Sequence, residues 1–315
     1  VTPEDETNAA AVDWKDIIEL SVENTLYNAA DNFELTLRND RMISEYLRKK
    51  MEIKIWLGYV ANPNSWKKEE LQLIFSGIID GVRVLFANQQ TVKLVGRDYS
   101  AALIDHEFSI AYAERTASQI AELLAESNGL GKKITTTTAI IEKDLYKDKR
   151  QWEVLQALAD REGFVCYVNK NKELYFGPRQ NESKTAVATF RYRDSKNPEL
   201  SNVSAIEFDD SLLEIINRVI VRHWQGQNKQ LIEAEAKNED LIKKYKEYKR
   251  VIYSAKALTP ELAKIEAEAR LKELCRAVVT GEQLRVAGNP DLEAEAIVEI
   301  LNVGRFSGSY YVDRI

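Results

Sequence analysis

The chain has 315 residues, 44% of them hydrophobic and 30% charged, a balance that suits about two folded domains and excludes disorder throughout. Forty-four Lys and Arg against fifty Asp and Glu leave a formal charge of −6, the wrong sign for holding nucleic acid by neutralising its phosphates. Two cysteines, Cys166 and Cys275, and two histidines, His106 and His223, exclude a disulfide framework and a metal centre built from thiols or imidazoles. The expectation is therefore no metal, no cofactor, no sequence-specific nucleic acid and a reducing compartment. No segment approaches the ~20 consecutive apolar residues of a bilayer span, and Val1 to Ala10 lacks a signal-peptide pattern, so stable membrane insertion is not expected.

Small and polar residues over 1–11 predict a flexible tail. From 12 to 98 apolar residues alternate at Ile18, Leu20 and Val22, at Phe33, Leu35 and Leu37, and at Ile53, Ile55 and Leu57, the period of half-buried strands. Asn39-Asp40, Gly58 and Asn62-Pro63-Asn64 mark the reversals. Two more strands, at 71–86 and 91–96, would let the sheet close into a first small β-barrel with no exposed edge.

Helical signatures replace the alternation over 99–180, which reads as an α+β insert. Thr116 with Gln119 forms a capping box ahead of an apolar face of Ile120, Leu123 and Leu124. A second helix is predicted from Asp148 through Trp152, Leu155 and Leu158 to Gly163, followed by a hairpin of 164–168 with 173–176. Residues 181–315 return to strands at 189–192, 203–208, 215–223, 283–286, 296–302 and 309–315, a second barrel domain with one long helix. Thr259 caps that helix, Pro260 opens it, and Leu262, Ile265, Ala269, Leu271 and Leu274 form its stripe. The fold class expected is α+β, predominantly antiparallel β, with two related barrels flanking the insert.

An internal echo supports the pairing of the two ends. Ile53 to Gly58 precedes Phe75-Ser76-Gly77, and Ile297 to Gly304 precedes Phe306-Ser307-Gly308, which runs on into Tyr310 and Tyr311. A glycine in such a strand permits a bend or a close backbone approach. Three chains carrying two similar units each would present six around an axis.

The stretches Gly281 to Asp291 and Ile300 to Val312, with Asn32 to Leu37, Phe75 to Asp80 and Val95 to Asp98, resemble the phage late-control D family, the baseplate hub proteins of contractile tails. They are also similar to the hub part of type VI secretion spike proteins. The resemblance implies a homotrimeric, pseudo-hexameric ring that joins a hexameric tail tube protein to a trimeric spike protein. It implies a virion structural protein or prophage product, placed in the tail baseplate and assembled in the bacterial host cytoplasm. It further implies strands after Ile315, where the family continues.

Enzyme motifs are lacking. Gly129-Leu130-Gly131-Lys132-Lys133 has Glu126 and Lys133 where a phosphate loop needs Gly and Ser or Thr, and reads as a helix C-cap. Asp209-Asp210 and Glu69-Glu70 are carboxylate doublets that read as solvated surface, and the expectation is no enzymatic activity. The run from Lys237 to Arg250, six basic and three acidic residues, reads as a charged excursion between strands. The competing reading is an envelope-glycan binding module in which Trp152, Tyr167 and Tyr175 make a stacking platform.

Overall fold

The computed structural model describes residues 14–26, 29–62, 65–180, 185–210, 216–226, 229–275 and 279–315; the tail expected over 1–11 lies outside them. Five antiparallel strands build the first sheet: β1 (Ile17–Glu23), β2 (Asn32–Arg38), β3 (Glu52–Leu57), β4 (Gln72–Leu85) and β5 (Thr91–Asp98), in the order β1-β2-β5-β4-β3. The alternation dictates which face is buried. Phe33, Leu35 and Leu37 of β2 meet Val92 and Leu94 of β5 and Ile53, Ile55, Phe75 and Ile79 of the neighbouring strands, all almost fully buried. Each such side chain contributes about 2 kcal/mol on leaving water. The sheet curls into a half-barrel and does not close, since β1 and β3 each pair on one side only. The chain continuing β1, Asn24 to Leu26, pairs with Asp313 to Ile315.

The middle of the chain holds α1 (Ala101–Asp105), β6 (Glu107–Thr116), α2 (Ala117–Ser127), β7 (Gly131–Ile134), β8 (Ile140–Arg150), α3 (Gln151–Glu162), β9 (Val165–Val168) and β10 (Glu173–Gly177). The capping box forms as the residues require: the Thr116 hydroxyl accepts from the Gln119 amide at 3.3 Å, and the Gln119 side chain accepts from the Thr116 amide at 3.0 Å. Leu123 is half-exposed, so Ile120 and Leu124 carry the buried face with Ala117, Ala121 and Ala125. Helix α3 starts at Gln151, three residues later than expected, because Asp148 is still in β8 with φ +50° and bonds Ser109. The helix ends at Gly163, whose φ of +69° suits glycine. A two-stranded ribbon, β6 with β8, occupies sequence that reads as helical or loop; Phe108, Ile110 and Tyr112 alternate along β6, and Tyr112, Ile141 and Tyr146 are buried in the middle core. Hairpin β9–β10 pairs as expected, and β7 joins it in parallel. Helices α2 and α3 cover this sheet through Ile120, Leu124, Leu155 and Leu158 against Leu174 and Phe176.

The last part divides among three small sheets rather than one barrel ladder. β11 (Ala188–Arg191) lies parallel to β17 (Ile297–Leu301), which pairs antiparallel with β18 (Gly308–Tyr311). β12 (Val203–Asp209) pairs with β16 (Thr280–Val286). β13 (Arg218–Gln225) is flanked by β14 (Gln230–Lys237) and, in parallel, β15 (Lys249–Tyr253). Ile215, the expected start of β13, lies outside the described residues, and the strand begins at Arg218. The long helix α5 (Pro260–Leu274) is capped by Thr259, with the Leu262 amide donating to its hydroxyl at 3.2 Å. Its fully buried contacts are Ala263 and Ala267 against Val219, Val221 and Ile232, while Ile265, Leu271 and Leu274 are only half-buried. Within the run from Lys237 to Arg250, α4 (Glu239–Tyr245) links β14 to β15, a charged excursion as expected.

Candidate functional site: a cleft where three sheets meet

The first sheet, the β9–β10 hairpin and the loop before β17 enclose a cleft of about 850 Å³. Each wall is tied to the others by polar contacts between residues far apart in sequence. The Tyr59 hydroxyl donates to the Gly288 carbonyl at 2.6 Å, and the Gln72 side chain donates to Asp291 at 2.8 Å. Lys170 in the hairpin turn pairs with Glu293 at 3.1 Å, and its carbonyl accepts from the buried Ser76 hydroxyl. Of these donors only the Ser76 hydroxyl is buried and must find an acceptor, while the other links lie at the exposed rim of the cleft.

Two carboxyls face this cleft, Asp98 buried and Asp31 half-buried. Asp98, at the end of β5, accepts from the Ser100 amide at 3.0 Å and hydroxyl at 2.5 Å; burial, then the charge of Asp31, pushes it up to about 8. Asp31 accepts from the Thr25 amide at 2.8 Å and from the Asn24 side chain, and burial pushes it up to about 6. A third carboxylate, Glu295, is fully buried behind the cleft. It accepts from the Tyr167 hydroxyl at 3.0 Å and the Tyr311 hydroxyl at 2.8 Å, so it bolts β9 to β18. Burial first, then the Glu295 charge, holds both phenols well above their ordinary range. Arg179 lies over the Tyr311 ring at 5.4 Å and pairs with Asp313 at 2.6 Å.

The two Phe-Ser-Gly tripeptides sit differently in their hairpins and in unlike surroundings. In the first, all three residues lie inside β4: Phe75 packs on Phe33 with ring centroids 5.3 Å apart, and Gly77 faces the Arg97 carbonyl so closely that a Cβ would come within 2.2 Å of it. In the second, Gly304 at φ +64° opens a single 3-10 turn containing Phe306, Ser307 closes it, and Gly308 starts β18 with open space around it. Phe306 stacks on Phe208 at 4.9 Å, the Tyr310 hydroxyl donates to the Phe306 carbonyl at 2.6 Å, and Tyr311 reaches Glu295. Of these residues, Phe75 and Ser76 line the cleft, Tyr311 reaches the bolt behind it, and the others brace the hairpins.

The stacking platform is not formed. Trp152 is 4% and Tyr175 6% exposed and both pack the core, while Tyr167, half-buried at the cleft wall, stacks on Tyr175 at 4.9 Å, so the three rings do not make one open platform. Asp209-Asp210 and Glu69-Glu70 are on the surface, with Asp210 paired to Arg305 at 2.9 Å. Gly129 follows α2 at φ +65°, and the Leu130 amide returns to the Ala125 carbonyl at 3.0 Å, the geometry of a helix C-cap. His223 bonds the Ser254 carbonyl, while His106 caps α1 on the surface. The Cys166 thiol is buried and pushed up by that burial. Among the described residues no group of three or more His, Cys, Asp or Glu is placed to hold a metal ion.

Residues 45–315 match the Alg8 N-terminal domain family. The chain belongs to that family. Curated proteins provide no match. The fold of this Alg8 N-terminal domain chain is similar to the tail protein from Neisseria meningitidis MC58, at TM-score 0.71 and 14% identity over 94% of this chain and 85% of that one. The 43 kDa tail protein of prophage MuSo2 from Shewanella oneidensis follows at 0.67 and 14%, covering 94% and 88%. Prophage tail protein gp18 from Listeria monocytogenes EGD-e aligns at 0.63 and 13%, covering 96% and 83%. The family matched is thus the Alg8 N-terminal domain rather than the late-control D family that the motifs resemble, while the fold is that of phage tail proteins.

Proposed function

We propose that this Alg8 N-terminal domain chain is a structural component of a phage tail or related contractile injection machine, and within it the baseplate hub. Three copies form a pseudo-hexameric ring that joins a hexameric tail tube to a trimeric spike, the chain works without catalysis, and it resides in the tail baseplate after assembly in the host cytoplasm. The observation that carries this reading is the likeness to tail proteins along 94% of the chain. Fold alone is an analogy, so the role rests on it together with the hub-like motifs from Asn32 to Val312 in their expected order. The walls of the cleft agree, since their contacts between distant segments suit a rigid adaptor. Capture of a hexameric tail tube protein from the same phage or injection system by the purified chain tests the proposal. Stoichiometric retention is expected, and its failure, with the tube protein folded and hexameric, overturns the hub assignment.

A further inference from the structure

Asp31 and Asp98 stand where the first sheet grips the last residues of the described chain. The Asp98 amide donates to the Asp31 carbonyl at 2.9 Å, so the two side chains issue from adjacent backbone and line one cleft. The Asp31 carboxylate in turn positions Asn24 and Thr25, one through its side chain and the other through its amide. From there the main chain of Asn24 and Leu26 makes three bonds: Asn24 amide to Ile315 carbonyl at 3.0 Å, Ile315 amide to Asn24 carbonyl at 2.9 Å, and Leu26 amide to Asp313 carbonyl at 3.0 Å. The Asn24 side-chain oxygen also accepts from the Ala294 amide.

The charges around the pair do not neutralise it. Glu23 at the end of β1 and Glu293 before β17 both add negative potential at Asp31. The cations that reach this corner are engaged with those glutamates, Arg314 with Glu23 and Lys170 with Glu293. Lys133 and Arg285 line the cleft, and Ser100 supplies Asp98 with neutral donors. Neighbouring carboxyls, one buried and one half-buried, resist holding two negative charges.

We propose that Asp31 and Asp98 form a proton-dependent clasp: while the pair keeps one proton, the segment Asn24 to Leu26 holds residues 313–315 against the first sheet, and ionisation of both releases them. Burial places the proton on Asp98, pushed up to about 8, and leaves Asp31 as the anion that needs its two donors. Above that pH the second charge is relieved by letting water into the cleft and letting the Asp31 loop and its clasped segment move. The device is independent of what the chain binds.

Hydrogen exchange at the Leu26 and Ile315 amides, corrected for the intrinsic pH dependence of exchange, reads the clasp directly. Protection is expected to fall at least about tenfold between pH 6 and pH 9 in the parent chain and to stay constant in Asp98→Asn, which carries no ionisable group there. The same fall in both proteins overturns the proposal. Carboxyl carbon NMR of the parent chain is a second readout that needs no variant: an Asp98 resonance titrating near 8 supports the clasp, and one titrating below 5 overturns it.

Discussion

Replacing Gly77 by alanine probes the β4–β5 contact at the centre of the first sheet. The added Cβ would lie 2.2 Å from the Arg97 carbonyl oxygen and 2.9 Å from the Asp98 Cα, where ordinary contact begins at 3.4 Å. These are backbone atoms of the paired strand, so no side chain can swing aside. The strands must separate by about 1 Å around the Gly77–Asp98 and Ile78–Arg97 pairs. Overpacking strain of about 1–3 kcal/mol plus about 1 kcal/mol for a weakened ladder bond sums to roughly 3 kcal/mol. At about 2–4 °C per kcal/mol the melting temperature drops by ~6–12 °C. Gly308, the matching glycine of the second tripeptide, has nothing within 4 Å of its virtual Cβ, and its alanine variant should stay within about 0.5 kcal/mol of the parent. Urea denaturation of the two variants in parallel decides the matter. Equal midpoints, or a loss below 1 kcal/mol in Gly77→Ala, would refute the steric reasoning.

Other perturbations follow from the same geometry. Glu295→Ala removes the acceptor of two buried phenols and should cost about 3 kcal/mol, while Tyr311→Phe, which removes one donor to a charged group, should cost about 1.5 kcal/mol, both read from urea midpoints. Because Asp98 is raised from 3.8 to about 8, its stabilising share is full below pH 3.8 and is lost as pH rises through 8. Parent and Asp98→Asn stabilities should therefore differ by a slope of up to about 1.4 kcal/mol per pH unit between pH 4 and 8 and run parallel above it. Trp152→Ala should lower stability by about 3–5 kcal/mol, as loss of a buried core ring, and leave retention on peptidoglycan beads unchanged.

What could be read from the residues tracks how far the chemistry is local. The first sheet was legible because β2 and β5 alternate strictly and one face is dry. Capping residues announced α2 and α5 because Thr116 and Thr259 act within three residues of themselves. The β6–β8 ribbon was hidden although Phe108, Ile110 and Tyr112 alternate, because the capping box at Thr116 directly after them reads as helix. Parallel pairing of β11 with β17, more than a hundred residues apart, leaves no trace in either strand alone. The cleft was hidden for the same reason: Asp31, Asp98 and Glu295 are single carboxylates among fifty acidic residues, and only the fold brings them to one cleft and buries Asp98 and Glu295. A weak signal existed in Asp98 followed by Ser100, a spacing at which a carboxylate can bond the amide two residues on.

The most direct test of the hub assignment is the mass of the purified chain by sedimentation equilibrium. The account predicts a trimer of about 108 kDa, three times the 36.0 kDa protomer, at micromolar concentration. A monomer that persists at high concentration and in the presence of the tube protein, with the chain fully folded, would contradict it.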